Sequence, residues 1–276
     1  MNSNETTVLL VDNGSLRAES TLALRQLAQG LQARIDVPVE AVSLLHSHKV
    51  DPASLQGVGA TIVRRRLREL VDCGRRQIVI LPLFLGPSLA IIEYLPKLVA
   101  EARERCSDLV VRIGLPLAGL DPEQPDPRLA EILADSVRMQ VEQHQLLDYQ
   151  VALVDHGTPA KAVNVVRNAV AQQLAERLNR TVFACSMERR PGPEYAFNEP
   201  LLEQLANQPE LREARSLVLA MFFLLPGRHA GVDGDVAQIC DAMQLTCAVH
   251  RTELMAMHSK LIEILEERFR TVTCVS

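Results

Sequence analysis

The sequence has no excess of basic residues. Its 29 Lys and Arg residues are outnumbered by 34 Asp and Glu residues, which gives a formal net charge of −5. Proteins that bind phosphate backbones or anionic membrane surfaces usually carry the opposite balance. Nucleic acid and membranes are therefore not predicted partners, and a small molecule is the expected one.

Long apolar runs and paired cysteine motifs are also missing. The most apolar segment, residues 78–92, contains Pro82, Gly86 and Pro87 and is too short to cross a bilayer. The first residues are polar and do not resemble a secretory signal, so a cytoplasmic protein is expected. The six cysteines form no CxxC pair, which favours buried reduced thiols. Because GxGxxG and P-loop motifs are absent, we expect no organic cofactor.

The two halves of the chain repeat each other. Two pairs of matching segments share an offset of 143 positions, and a third pair has an offset of 139. Two matches in one register are hard to obtain by chance. We therefore predict two tandem domains, residues 1–148 and 149–276. The matching segments are residues 8–15 with 151–158, 39–43 with 182–186, and 83–87 with 222–226.

Each half alternates short β-branched apolar runs with longer stretches of helical periodicity. This pattern is typical of parallel strands joined by crossover helices. We therefore predict an α/β fold in which each domain has a mostly parallel four-stranded sheet flanked by helices, with a pseudo-two-fold relation between the domains. The predicted strands are residues 8–12, 37–43, 77–85, 109–115, 151–155, 181–187, 216–224 and 246–251.

Three residues of the second half follow predicted strands at equivalent turns: His156, Glu188 and His229. Ligands of open α/β sheets bind beyond the carboxyl ends of the strands, where these turns lie. Two imidazoles and a carboxylate can hold a divalent first-row metal, and neutral imidazole can accept a proton near pH 7. A lone histidine is more often structural, but the coincidence of three such groups favours a functional site.

The first half has Asn13, Leu45 and Ala90 at the corresponding positions, and none of these side chains titrates. We therefore predict that the first domain is a degenerate copy and that the second carries the site. His46 and His48 follow the second strand of the first half. They can be a pair that admits the metal, although loop histidines without a role are the simpler interpretation.

Two motifs of the second half resemble those of a known family. They are residues 154–158 (VDHGT) and residues 222–229 (FFLLPGRH), with Asp233 four positions after the histidine. They are similar to the motifs of the CbiX/SirB-like class II tetrapyrrole chelatases, and the resemblance extends over the whole chain as a tandem pair of domains. Members of this family insert cobalt, iron or nickel into sirohydrochlorin-type rings.

The resemblance implies that this chain is a chelatase that inserts cobalt or iron, with nickel as a further option, into such a tetrapyrrole. His156 and His229 would be catalytic, as metal ligands and as acceptors of pyrrole protons, and Glu188 would be the third metal ligand. Co²⁺ or Fe²⁺ would be a substrate. Because the ring carries carboxylates, which guanidinium groups bind bidentately, cationic clamps are also expected. The expected clamps are Arg189, Arg190 and Arg228.

Two other functions remain open from the sequence. A carrier or sensor that binds a tetrapyrrole or a metal without turnover would use the same ligands as a chelatase. A structural subunit of a larger biosynthetic complex would bind neither. Insertion of metal into the ring by the isolated protein would distinguish a chelatase from both of these alternatives. The sequence leaves the identity of the metal, the ring and the oligomeric state undefined.

Overall fold

A computed structural model describes residues 6–243, 245 and 247–274 of the chain. The chain separates into two compact units. The first unit comprises Met1–Leu120 together with Ile262–Ser276, and the second comprises Asp121–Leu261. In the described part of the chain, no helix combines the length and the apolar character that crossing a bilayer requires.

The first unit contains a four-stranded parallel sheet with the strand order β2-β1-β3-β4. All seven residues of β1 are buried, as expected for a central strand of a parallel sheet with both faces covered. The strands are β1 (Thr6–Asp12), β2 (Val39–Ser43), β3 (Gln77–Pro82) and β4 (Val110–Ile113), and the helices are α1 (Ala18–Ile35), α2 (Val63–Asp72) and α3 (Leu95–Arg105).

The second unit repeats this sheet in the order β6-β5-β7-β8, again with parallel pairing throughout. All of β7 and the residues of β5 from Val151 onward are buried. The helices are α4 (Pro127–Gln143), α5 (Lys161–Leu178), α6 (Pro209–Glu213) and α7 (Asp235–Ala242), and the strands are β5 (Tyr149–Asp155), β6 (Val182–Ser186), β7 (Ser216–Met221) and β8 (Ala248–Arg251). The last helix, α8 (Ser259–Cys274), begins in this unit and ends in the first.

The predicted α/β class and the two parallel four-stranded sheets are confirmed. Four strands, β3, β4, β6 and β7, end before their predicted limits, and the difference is largest for β3, which ends at Pro82, and for β7, which ends at Met221. The apolar run continues past β3 and β7 because Leu83 and Phe222 are buried in the following loops. Apolar composition therefore reports burial there, and not strand pairing. Residue 246, the first residue of the last predicted strand, lies outside the described residues.

The compact units are bounded differently from the sequence repeat, which predicted domains at residues 1–148 and 149–276. Helix α4 lies within the first predicted domain but packs against α5 and β7 in the second unit. Most of α8 belongs to the first unit, where Arg268 donates a hydrogen bond to the carbonyl of Leu117. The repeat identifies the strands and their loops, whereas the sheet that a terminal helix covers depends on tertiary packing.

Candidate metal site

His156, Glu188 and His229 lie in three loops at the carboxyl ends of neighbouring strands in the second unit. His156 directly follows β5, Glu188 lies two positions after β6, and His229 lies in the loop between β7 and α7. Because β5 is paired with both β6 and β7, these loops are adjacent. The sheet topology therefore brings the three predicted residues to one edge, as expected for a ligand site of an α/β fold.

The three side chains are close together. The ring centroids of His156 and His229 are 4.5 Å apart, and the rings are nearly perpendicular, at 73°. Nε2 of His156 lies 3.5 Å from Oε1 of Glu188. His156 and Glu188 are exposed, and His229 is partly exposed. A ligand in solution can therefore reach all three groups.

The hydrogen-bond partners of the two rings place the proton of each neutral imidazole on Nδ1. Nδ1 of His156 lies 2.9 Å from the carbonyl oxygen of Gly157. A carbonyl only accepts, so this nitrogen carries the proton. Nδ1 of His229 lies 2.7 Å from Oδ2 of Asp235, which makes the same demand when the carboxylate is ionised. In the neutral state, both imidazoles therefore present a lone pair at Nε2, the arrangement found where a second group orients a metal-binding histidine.

The approach of His156 to Glu188 calls for a positive charge between them. A lone pair on Nε2 and a carboxylate oxygen 3.5 Å apart repel each other unless a proton or a metal ion lies between the two atoms. For an ion about 2.1 Å from each atom, the angle between nitrogen, ion and oxygen would be roughly 110°, close to the tetrahedral value. The pair is therefore spaced as two adjacent ligands of a first-row metal.

The cluster is an open site and not a closed cage. Among the described residues, no three His, Cys, Asp or Glu side chains already stand in a complete metal-binding arrangement. The site consists of the pair formed by His156 and Glu188, with the ring of His229 in contact with the ring of His156. An incomplete protein ligand set leaves coordination positions for water or for a second ligand, as in sites where the metal takes part in a reaction.

The backbone of the loop after β5 fixes the position of Glu188. Its amide donates to the carbonyl of His156 at 3.2 Å, and the amide of Met187 donates to the carbonyl of Asp155 at 2.7 Å. Gly157 between these loops has φ +88, and an added Cβ would lie 1.9 Å from the carbonyl oxygen of Glu188. Only glycine permits this approach of the two loops.

A buried polar network lies beneath the site. Asp155 accepts hydrogen bonds from the Ser186 hydroxyl at 2.6 Å and from the Gly157 amide at 3.1 Å. Nη1 of Arg167 donates to Ser186 Oγ and to the carbonyl of Asn198, and lies 3.9 Å from Asp155. Burial raises the pKa of Asp155, while the Ser186 hydroxyl and then the Arg167 guanidinium oppose the rise. The network ties β5, α5, β6 and the loop after β6 together.

The first unit keeps the loop backbone but not these side chains. The amide of Leu45 donates to the carbonyl of Asn13 at 3.1 Å, as Glu188 does to His156. Gly14 has φ +93, and an added Cβ would lie 1.8 Å from the carbonyl oxygen of Leu45. The repeat has therefore preserved the loop scaffold while Asn13, Leu45 and Ala90 occupy the positions of the three predicted ligands.

The buried acid of the first unit, Asp12, has no cation in the position of Arg167, because Leu24 stands at that point of the repeat. Its Oδ1 is buried without a hydrogen-bond partner. Burial raises the pKa of Asp12 to about 6, against smaller opposing effects from the Ser43 hydroxyl and the Gly14 amide. The buried acid of the second unit therefore has an arginine beside it, whereas Leu24 stands in that place near the buried acid of the first unit.

The three predicted arginine clamps differ in their surroundings. Nε of Arg189 lies 2.9 Å from the carboxylate of Glu199, and its Nη1 donates to two loop carbonyls, so this guanidinium shapes the loop after β6. Arg190 is exposed, with its guanidinium 5.9 Å from the centre of the Tyr195 ring. Arg228 is exposed, and its Nε lies 3.4 Å from Asp235. Arg190 and Arg228 are the two with surface free for a ligand.

Sequence reasoning missed Asp235 and Arg167. The motif drew attention to Asp233, but the carboxylate that contacts His229 is Asp235, the first residue of α7. A signal was present, because acidic residues are favoured in the first turn of a helix. Arg167 stands where the repeat has Leu24, and a charged residue that replaces an apolar one between copies also marks a special position.

The fold and the site together define a protein of two α/β units, each built on a parallel sheet. A cluster of two imidazoles and a carboxylate lies at the strand ends of the second unit. The chain belongs to the CbiX family, whose model matches residues 7–140 and 150–272. This membership confirms the family resemblance of the sequence motifs. Among curated protein sequences, none matches the chain significantly.

Solved structures share this architecture over nearly the full chain. SirB from Bacillus subtilis with Fe³⁺ is 15% identical, with a TM-score of 0.71, over 98% of this chain and 96% of SirB. The sirohydrochlorin chelatase SirB from Bacillus subtilis subspecies spizizenii, in complex with cobalt, is 13% identical, with a TM-score of 0.67, over 97% and 95% of the two chains. CbiX of denitrifying bacteria, described as the terminal enzyme of siroheme biosynthesis, is 15% identical, with a TM-score of 0.59, over 98% and 100%. At these identities the likeness concerns the fold.

Proposed function

We propose that this protein is an enzyme that inserts a divalent metal, cobalt or iron, into a sirohydrochlorin-type tetrapyrrole. The observation that carries the proposal is the pairing of His156 with Glu188 across 3.5 Å, beside the ring of His229. Membership of the CbiX family supports the chelatase class. The SirB structures with Fe³⁺ and with cobalt support the choice of metal.

In the first step, the metal substrate binds to Nε2 of His156, Nε2 of His229 and the carboxylate of Glu188. The hydrogen bonds at both Nδ1 atoms orient the rings for this role. Imidazole and carboxylate suit cobalt and iron without the tight binding of four thiolates. Water completes the coordination shell, so the ion can exchange its ligands for ring nitrogens.

In the second step, the ring nitrogens replace the protein ligands and two pyrrole N–H protons must leave. Each imidazole that releases the metal regains a free lone pair at Nε2, and each can then accept one proton. The overall exchange balances: the dication enters the ring and two protons leave it. His156 and His229 therefore act in sequence as metal ligands and as bases.

The carboxylates of the ring require cations around the site. Arg190 and Arg228 are exposed beside it and are proposed as bidentate clamps. Arg189 is proposed to contribute mainly through its ion pair with Glu199, which holds the loop that carries Glu188. A substrate carboxylate that displaced Glu199 would recruit Arg189 as a third clamp.

Single-turnover insertion tests this function. Purified protein is mixed with Co²⁺ or Fe²⁺ and with an amount of sirohydrochlorin that does not exceed the protein. The absorbance of the metallated ring is then followed. We expect one ring metallated per chain, at a rate at least a hundredfold above that without protein. His48→Ala is the matched control, since His48 is an exposed histidine of the first unit, and it should insert metal like the wild type.

A carrier or sensor is the second candidate function, because the same ligands can bind without turnover. It predicts that metal or ring binds to the protein while the absorbance of the metallated ring develops no faster than in solution. That outcome would reject the chelatase proposal. A protein that binds neither metal nor ring would favour a structural subunit.

A further inference from the structure

A second pair of imidazoles lies in the second unit, formed by His144 and His250. His144 stands at the end of α4, and His250 lies within the edge strand β8. Their ring centroids are 4.3 Å apart, with the planes tilted by 41°. This separation is close to the 4.5 Å between His156 and His229. None of the loops that carry the candidate metal site contributes to the second pair.

The second imidazole pair lines a cavity of about 600 Å³. This volume falls in the range of pockets that bind small ligands. Much of the remaining lining is apolar and includes Met221 and Leu254, while Glu253 and Arg251 add one charge of each sign. The loop that carries His229 also lines this cavity, through Ala230 and its neighbours. The two imidazoles therefore line a space that is open to a ligand.

The environment of His250 favours its neutral form, which is the form that binds metals. Burial, and after it the neighbouring ring of His144, lowers the pKa of His250. Two positive charges on rings in contact would also repel each other. Neutral imidazole is a preferred ligand of first-row divalent ions.

We propose that His144 and His250 form a second binding site for a divalent first-row metal ion in this unit. The two imidazoles are the protein ligands, and water molecules fill the remaining positions. Within the described residues, no third His, Cys, Asp or Glu side chain completes such a group. Glu253 lines the same cavity and adds a negative charge there.

The chemistry of such a site predicts its selectivity. A site with two imidazole nitrogens follows the general order of affinity, in which Ni²⁺ binds more tightly than Co²⁺. With two protein ligands, it binds more weakly than a site with three. The inference stands on residues separate from His156, Glu188 and His229, so it does not depend on the proposed function.

Metal stoichiometry in a chain without the first site tests the proposal. The double variant His156→Ala with His229→Ala is titrated with Co²⁺ and with Ni²⁺ by equilibrium dialysis and calorimetry at pH 7.5. We expect one ion to remain bound per chain, with tighter binding of Ni²⁺. Adding His250→Ala to this background should weaken binding at least tenfold, and adding His144→Ala should do the same.

His48→Ala in the same background is the matched control and should leave the remaining ion in place. Because His144 is exposed at a helix end, its replacement tests the site even if His250→Ala disturbs β8, and thermal melting reports that disturbance. Absence of bound metal in the double variant would overturn the proposal. Binding that survives both His144→Ala and His250→Ala would overturn it as well. Loss of insertion by His156→Ala alone concerns only the proposed function.

Discussion

Nδ1 of His229 lies 2.7 Å from Oδ2 of Asp235, the first residue of helix α7. The carboxylate holds the ring in the tautomer with a lone pair at Nε2. Asp235 also lies 3.4 Å from Nε of Arg228, so one acid positions both a proposed metal ligand and a proposed substrate clamp. The start of α7 therefore organises one side of the site.

Removal of this carboxylate should weaken metal binding. We expect Asp235→Ala to reduce the affinity for Co²⁺ by roughly 10- to 100-fold, because the His229 ring loses its orientation. Asp235→Asn keeps an oxygen that accepts the Nδ1 proton and should lose less. Asp233→Ala is the matched control, since Asp233 is exposed on the same loop. An equal loss in the Asp233 and Asp235 variants would contradict the assignment of Asp235.

Glu188→Gln tests the role of the carboxylate without changing the size of the side chain. The amide retains an oxygen but loses the charge that offsets the metal ion. We expect weaker affinity for Co²⁺ with a smaller loss of insertion rate at saturating metal, because the two imidazoles still act as ligands and bases. Titration of the rate against Co²⁺ concentration separates the two effects. A rate that falls without any change in apparent affinity would contradict the ligand role of Glu188.

The glycines after the first strand of each unit provide a matched pair. An added Cβ would clash with the carbonyl of Glu188 in Gly157→Ala and with that of Leu45 in Gly14→Ala, and both backbones have positive φ. Each variant should lower the free energy of unfolding by about 1–3 kcal/mol. Metal binding should be lost only in Gly157→Ala, because only that loop displacement moves Glu188. Loss of Co²⁺ binding in both variants would indicate that the first unit also holds the metal.

The buried acid of the first unit should give the protein a pH-dependent stability. Burial raises the pKa of Asp12 to about 6, so between its ordinary value and 6 the folded state holds a proton that the unfolded state has released. The free energy of unfolding therefore falls as the pH rises through this window. Asp12→Asn cannot ionise, so at pH 8 it should be more stable than the wild type, by about 3 kcal/mol at most.

Urea unfolding of wild type and Asp12→Asn at pH 4 and pH 8 measures this effect. The difference in stability should be small at pH 4 and large at pH 8. Asp155→Asn is the contrasting variant, because it leaves the buried Arg167 guanidinium without its anion and should be destabilised by about 3–5 kcal/mol. A stability difference for Asp12→Asn that is independent of pH would contradict the account of Asp12.

The sequence predicts the strands and the clustering of the site loops because the repeat preserves their backbone. The same amide-to-carbonyl contact joins Leu45 to Asn13 in one unit and Glu188 to His156 in the other. The repeat cannot reveal which sheet α4 covers, because that depends on packing between segments far apart in the chain. The Asp235 contact was missed for a similar reason. The geometry of the loop after His229, and not spacing along the chain, selects Asp235 over Asp233.

The surroundings of the arginines were also beyond the sequence. Arg189 and Arg190 are adjacent residues of the same type, so the sequence does not distinguish them. In the structure, Arg189 is paired with Glu199 while Arg190 remains exposed. The fold of residues 188–199 decides which guanidinium is already engaged. Identity of a side chain can be taken from the sequence, but its availability to a ligand requires the loop conformation.

The most direct test compares His156→Ala with Asn13→Ala in single-turnover insertion of Co²⁺ into sirohydrochlorin, followed by absorbance. The two residues occupy equivalent positions after the first strand of each unit, so the variants differ chiefly in which unit is altered. We expect His156→Ala to lose at least a hundredfold in rate and Asn13→Ala to stay within twofold of the wild type. Equal rates for the two variants would contradict the claim that the second unit carries the metal site.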